Sequence, residues 1–179
     1  MSIDENVTKL MDNKGELMKL IADSVHKGKE VYADQYIEGR EFNISILGGK
    51  EGPQVLLPAE MCFYNYPEGK LKVVGYRTKW VEDSFEYENT RRTFDFPPDD
   101  APLLELLKQI CLKCWKAFNL KGYARVDFRV DKNNVPYVLE INANPCISPS
   151  SGFISAAKQT GISMKEVFER IIYDTYHKI

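Results

Sequence analysis

Two runs near the middle of the chain set apolar and polar residues in strict alternation. Ala124, Val126, Phe128 and Val130 carry the first, Val135, Tyr137, Leu139 and Ile141 carry the second, and the polar cluster 131–134 separates them. A period of two marks a strand with one buried face, and the polar break predicts a β-hairpin. With Asn133 and Asn134 as a two-residue turn, a role asparagine suits because it tolerates positive φ, Asp127 falls opposite Glu140 and Arg125 opposite Asn142.

The rest of the chain reads as follows. Leu17, Met18, Ile21 and Val25 recur at helical spacing over residues 15–27, and Gly28 is the expected C-cap. Residues 31–37 and 41–49 read as strands joined by the tight link Glu38, Gly39, Arg40, and residues 53–64 and 71–80 supply two more. TFDFPPDDAP is a loop that ends in helix-start signals, with Asp99 or Asp100 as cap and Pro102 in the first turn. The helix that follows runs to about Leu120, with Leu104, Leu107, Cys111, Cys114 and Phe118 on its core stripe. Beyond the hairpin come the loop NPCISPSSG and a short helix closed by Gly161. A final helix opens with a capping box from Ser163 to Glu166 and buries Met164, Val167, Phe168 and Ile171. Such an order, without repeats, predicts an α+β fold: a mostly antiparallel sheet with helices packed on one side.

Composition narrows the function classes. The 179 residues suffice for one substantial core or two small domains sharing a site. A net charge of −2, from 24 basic and 26 acidic residues with no long basic run, argues against nucleic acid as a partner. No apolar stretch approaches the ~20 residues needed to span a bilayer, and MSIDENVTKL has no apolar signal region, so no membrane partner and a cytoplasmic location are expected. Four scattered cysteines do not make a disulfide framework. Cys111 and Cys114 sit at helical spacing and read as core; His26 and His177 lie near the two ends with no spacing motif, so zinc is not expected.

The hairpin raises a chemical question. Arg125, Asp127, Glu140 and Asn142 all project from the face opposite Val126, Phe128, Leu139 and Ile141. Two carboxylates directly across a strand pair repel by up to roughly 1 kcal/mol. A hard divalent cation taking oxygen ligands from both acids and an Asn carbonyl would neutralise them. Salt bridges from Arg125 and Arg129, on the same face, would do so equally well.

Taken in order, QYIEGREFNISILG, RTKW, GYARVDFRV, VLEINANP, a serine-containing loop and a G-I-S helix start resemble the C-terminal part of an ATP-grasp enzyme, nearest the D-alanine:D-alanine ligase branch. The likeness runs from about Ser2 to the C-terminus. It implies a site residue by residue. Asp127, Glu140 and Asn142 match Mg²⁺ ligands, with Mn²⁺ as an alternative. Arg125 matches the arginine that holds the transferred phosphate, and Lys79 the lysine that reaches the γ-phosphate. Asp34, Gln35, Tyr36 and Ile37 match a strand whose backbone recognises the adenine edge, and Glu41 the acid that accepts hydrogen bonds from the ribose. From the residues alone, Tyr36 and Ile37 read equally as sheet core, and Glu38 and Glu41 as a solvated turn. Ser151 matches a substrate-loop serine.

The implied chemistry joins a carboxylate to an amine on a small amino-acid-like substrate: ATP forms an acyl phosphate, and the amine displaces phosphate. By the same resemblance, residues 1–78 are the remainder of the central subdomain and 79–179 the C-terminal subdomain. The family's N-terminal domain, its strand lysine and its glycine-rich loop are expected to be absent. The chain is therefore expected to be a poor catalyst alone, and to associate with another copy or with the missing N-terminal half. A non-catalytic nucleotide-binding or scaffold module is the other reading. Cys146 stands where the D-alanine:D-alanine ligases carry glycine, which makes D-alanine doubtful as the substrate; its thiol is read as passive.

Overall fold

Strand β1 (Arg40–Leu47) is the axis of the sheet. The computed structural model describes residues 10–176, so the first nine residues and His177 fall outside it. Around β1 lie β2 (Gln54–Val55), β3 (Ala59–Phe63), β4 (Thr90–Thr93), β5 (Tyr123–Val130) and β6 (Pro136–Asn142), in the order β4-β3-β1-β5-β6 with β2 paired to β1. The pairs β1·β2, β1·β3, β1·β5 and β5·β6 are all antiparallel.

Alternation sorts the sheet into two unlike faces. Phe42, Ile44 and Ile46 of β1 and Ala124, Val126, Phe128 and Val130 of β5 are fully buried and pack on Leu103, Leu107, Cys111 and Trp115 of helix α4 (Ala101–Ala117). Each large side chain so buried stabilises the fold by about 1.5–3 kcal/mol. The opposite face carries Glu41, Asn43 and Ser45 beside Arg129, Asp127 and Arg125. One helix thus covers the greasy face, and the chemistry sits on the other.

The α4 stripe runs 103, 107, 111, 115 rather than through Cys114 and Phe118. Leu104 and Cys114 lie at its margin, and Phe118 is exposed because the helix stops at Ala117 and Asn119 turns the chain with φ 47°. Asp100 does occupy the N-cap position, but its side chain makes no cap bond. Its carboxylate instead accepts two bonds from Arg40, at 2.8 and 2.7 Å, while Arg40 also grips Glu60 at 2.9 and 2.7 Å. Those bonds, from Glu60 first and then Asp100, raise the Arg40 pKa and fix the start of α4 to β1 and β3. Helices α5 (Gly152–Gln159) and α6 (Met164–Tyr176) share a second core with Leu47 and Leu56, to which Phe153, Ile154, Ala156, Ala157 and Val167 contribute. Ser163 caps α6, its Oγ accepting from Glu166 N–H at 3.2 Å, but Phe168 is left 38% exposed rather than buried.

The chain separates into two compact units: the segment up to Ile37 together with Tyr64–Thr90, and Glu38–Phe63 together with Arg91 onward. The sheet and helices above belong almost wholly to the second. In the first, α1 (Lys14–His26) is capped by Asn13, whose Oδ1 accepts from Gly15 and Glu16, and is closed by Gly28. None of its residues is buried, so the stripe of Leu17, Met18, Ile21 and Val25 is not core within this unit.

Two expected strands are not there. Residues 31–37 are irregular, and residues 71–80 are irregular up to Gly75 and then helical as α2 (Tyr76–Trp80). Alternating side chains make a strand only where a neighbour supplies backbone partners; here residues 70–77 instead wrap the carboxylate of Glu86 on α3 (Phe85–Glu88). The third expected strand, over 53–64, is split at Pro58 into β2 and β3. Strand β4, TRRT, carries no apolar alternation and was not expected.

Glu86 offers a pH test. Burial alone would raise its pKa, but bonds from Lys70 and Arg77 outweigh that and hold it at about 2, below the ordinary 4.5. A depressed carboxyl stabilises the fold above its unfolded pKa and loses that contribution as the pH falls toward the folded value. Chemical denaturation should therefore show the wild type losing stability between pH 5 and about 2 more steeply than Glu86→Gln. A second test concerns Gly39, whose φ of 149° and missing Cβ let it lie against the Val130 carbonyl. Gly39→Ala should destabilise the sheet by about 1–3 kcal/mol in the same assay.

Candidate functional site

The hairpin delivers the expected pairing by an unexpected route. Asp127 is opposite Glu140, Val126 opposite Ile141 and Arg125 opposite Asn142. The turn, however, is a three-residue loop, 132–134: Asp131 N–H donates to the Val135 carbonyl at 3.0 Å, and Asn134 takes φ 59°. Asp131 Oδ1 steadies it by accepting from Asn133 and Val135. Near the turn the register is one residue away from that expected, with Phe128 opposite Val138 and Arg129 opposite Tyr137. A β-bulge between Asp127 and Phe128 then restores it, and the extra residue is Leu139. Leu139 is therefore not on the buried face, as the alternation suggested, but 52% exposed.

On the polar face, Arg125 forms a fork with Asp127: Nε to Oδ1 at 2.6 Å and Nη2 to Oδ2 at 2.7 Å. Glu140 Oε1 lies 3.8 Å from the same Nη2. Burial would lower the Arg125 pKa, but the Asp127 bonds and the nearby negative charges of Asp127, Glu140 and Glu41 raise it. One strand over, Arg129 Nη1 lies 3.3 Å from Glu41 Oε2, both side chains almost completely buried. Glu41 is thus held in an ion pair rather than in a solvated turn. Asn142 Oδ1 accepts from the Asn144 N–H at 2.9 Å, which fixes the amide at the end of β6.

Ser151 is the N-cap of α5, its Oγ accepting from Ile154 N–H at 3.3 Å. Its carbonyl accepts from Ser155 Oγ at 2.8 Å, and Arg92 Nη1 reaches that Oγ at 3.5 Å. Arg92 was not singled out by the sequence and lies just before the loop read from Thr93. Cys146 is exposed; its Sγ lies 3.3 Å from Ser148 Oγ, and that contact lowers its pKa. None of the four cysteines forms a disulfide with another described residue.

The unit of Glu38–Phe63 and Arg91 onward thus brings together Arg125, Asp127, Glu140 and Asn142, with Glu41 on the adjoining strand. Asp34, Gln35, Tyr36, Ile37 and Lys79 belong to the other unit. There Asp34 and Gln35 are exposed, Tyr36 and Ile37 are half-buried, and the four form no strand, unlike the strand expected over 31–37. Lys79 is half-buried in α2.

Among the described residues no three His, Cys, Asp or Glu gather to hold a metal. The donors that do converge are two carboxylates and one amide, all hard oxygen, the set suited to Mg²⁺ completed by phosphate and water.

The family model for the C-terminus of D-ala D-ala ligase matches residues 7–173. The chain belongs to that family. D-alanine--D-alanine ligase A of Bacillus cereus is 30% identical over 92% of this chain and 48% of its own length, and the D-alanine--D-alanine ligase of Carboxydothermus hydrogenoformans is 33% identical over 89% and 47%. The chain spans about half the length of the curated relatives it matches. Among solved structures, the D-alanine--D-alanine ligase of Bacillus anthracis complexed with ATP superposes with a TM-score of 0.64 at 25% identity, covering 92% of this chain and 47% of that one. The ligase from Coxiella burnetii, at 20% identity over 96% of this chain and 41% of its own, shares the fold with a TM-score of 0.65. The mostly antiparallel α+β sheet is thus that of the ATP-grasp D-alanine--D-alanine ligases. No helix among the described residues is long and apolar enough to cross a membrane.

In this ligase-family sheet the two acids of the hairpin should differ in what they do for stability. Asp127→Ala leaves a mostly buried guanidinium without its fork and should cost about 3 kcal/mol. Glu140 is half-exposed and 3.8 Å from its cation, so Glu140→Ala should cost less than about 1 kcal/mol. Urea denaturation of the two variants checks the contrast.

Proposed function

We propose that the chain is the cation- and phosphate-binding part of an ATP-dependent carboxylate-amine ligase that forms a peptide or amide bond. The observation that carries the reading is the direct pairing of Asp127 with Glu140 across the hairpin, with Asn142 opposite Arg125. Paired acids on a half-buried face call for a positive partner, and the oxygen donors suit Mg²⁺, with Mn²⁺ as the alternative. When bound, the cation would neutralise charge on the phosphoryl group in transfer.

The residues of the chain do the rest. Arg125, fixed in plane by the Asp127 fork through Nε and Nη2, would meet an anion at the hairpin with its remaining N–H groups. Glu41, tied to Arg129, supplies acceptor oxygens on the neighbouring strand, where the ribose would lie. Lys79 and residues 34–37 carry the γ-phosphate and adenine roles on the family resemblance alone. A carboxylate substrate would receive the phosphoryl group as an acyl phosphate, and an amine held near Ser151 would displace phosphate. Residues 1–78 and 79–179 would be the two ATP-grasp subdomains. The proposed partners are a nucleotide, a small amino-acid-like substrate, and a second copy or a segment equivalent to the rest of the relatives' length. Cys146 is assigned no chemical role.

The Arg125–Asp127 fork favours one competing reading, in which guanidinium groups alone neutralise the acids and no cation enters. Calorimetry separates the two. Mg-ATP binding should weaken at least roughly tenfold when Asp127 and Glu140 are both changed to Ala, since each carboxylate ligand contributes a charged contact. Affinity that is unchanged in the double variant, or that does not depend on Mg²⁺, would remove the cation from the site.

A further inference from the structure

Arg92 on β4 sends its guanidinium over the first residue of α5. A Cβ on Gly152 would stand 2.9 Å from Arg92 Nη2, so the guanidinium fills the space a side chain at position 152 would take. Its one hydrogen bond to a described residue is the long 3.5 Å contact to Ser155 Oγ, and Ser155 in turn donates to the Ser151 carbonyl. Among the described residues Arg92 has no carboxylate partner. Loss of solvent, and then the like charge of Arg125, lower its pKa, which places the two guanidinium groups within electrostatic reach of each other. Arg125 is committed to Asp127. Arg92 therefore presents a planar fork of five donors, nearly all unused within the described residues, beside the loop that carries Ser151.

An exposed guanidinium near a second cation, with no carboxylate among the described residues against it, is open to an incoming anion that its planar fork can bind. We infer that Arg92 is a specificity-determining residue that reads a second carboxylate on the amine substrate, so that this chain accepts an acidic amino acid. The inference rests on the ligase reading for the placing of the amine near Ser151. It goes beyond that reading in naming the substrate class. Carboxylate is favoured over phosphate because the phosphate-binding groups are those of the hairpin, while Arg92 reaches the substrate-loop side of Arg125. Gly152 belongs to the same device, since a larger residue would push the guanidinium off its seat.

The test is calorimetric titration of the full chain with both enantiomers of glutamate, glutamine and alanine, run with and without Mg-ADP. Glutamate of one hand should bind at least roughly tenfold tighter than glutamine or alanine, the ratio expected for a bidentate charged contact. Arg92→Ala should erase that preference and Arg92→Lys restore part of it. Gly152→Ala, which displaces the arginine but keeps its charge, should also reduce it. Thermal melts of each variant establish that it is folded. Equal binding of the three amino acids by the wild type, a preference that survives in Arg92→Ala, or a loss that falls equally on all three overturns the assignment; the last would mean that Arg92 holds the carboxylate every amino acid has. The arm without nucleotide keeps this outcome separate from the fate of the ligase reading, which the Mg-ADP arm addresses.

Discussion

One residue of register decides what this hairpin can do. The three-residue turn on its own would set Leu139 opposite Asp127 and swing Glu140 onto the face packed by α4, where an unpaired carboxylate would be costly. The bulge absorbs one residue, ejects Leu139 toward solvent and returns Glu140 to the polar face. Bulges recur next to active sites because they re-aim a side chain in this way. The resulting pair of like charges is tolerable because Arg125 lies between them, forked onto one acid and 3.8 Å from the other.

The rest of the fold makes that face stiff. Strand β5 is paired on both sides, with β1 and β6, and its apolar side is locked against four residues of α4. The start of α4 is tied back to β1 and β3 through Arg40. At the other end of the strands, Asp174 Oδ2 accepts from Gly122 N–H at 2.8 Å, and the Gly122 carbonyl accepts from Gly48 N–H at 2.7 Å. The polar side chains of β1 and β5 thus project from a backbone that has little freedom to adjust to a ligand. Preorganisation of this kind is what electrostatic binding sites require.

What was legible in the sequence follows from locality. The alternation around Asp127 and the cap signals of α1, α5 and α6 are properties of neighbouring residues, and they led to the right elements. The Asp127–Glu140 pairing was also legible, though two displacements, the longer turn and the bulge, happened to cancel. Neither displacement is written in the hydrophobic pattern, since each depends on how Asp131 and Asn134 settle the backbone. Residues 31–37 and 71–80 carry strand-like side chains but join no sheet, and β4 carries none of the signal yet is recruited by the edge of β3. Long-range pairing, not local preference, decided those three segments. Arg92 escaped notice for the same reason: its importance comes from what β4 lies beside.

The charges around the hairpin argue for more than mutual neutralisation. Arg92, Arg125 and Arg129 face Glu41, Asp127 and Glu140, three of each sign, yet they are not shared out evenly. Arg129 serves Glu41, Arg125 is forked onto Asp127 and stands 3.8 Å from Glu140, and Arg92 lies toward α5 with no acid among the described residues. A face built only to cancel its charges would set Arg92 against one of its acids. Keeping them apart leaves a local excess of negative charge at the β5–β6 pair and of positive charge at α5. A divalent cation at the first and an anionic substrate group at the second would each meet its complement. Adding the cation turns a neutral face into one of charge about +2, the sign that attracts a polyphosphate.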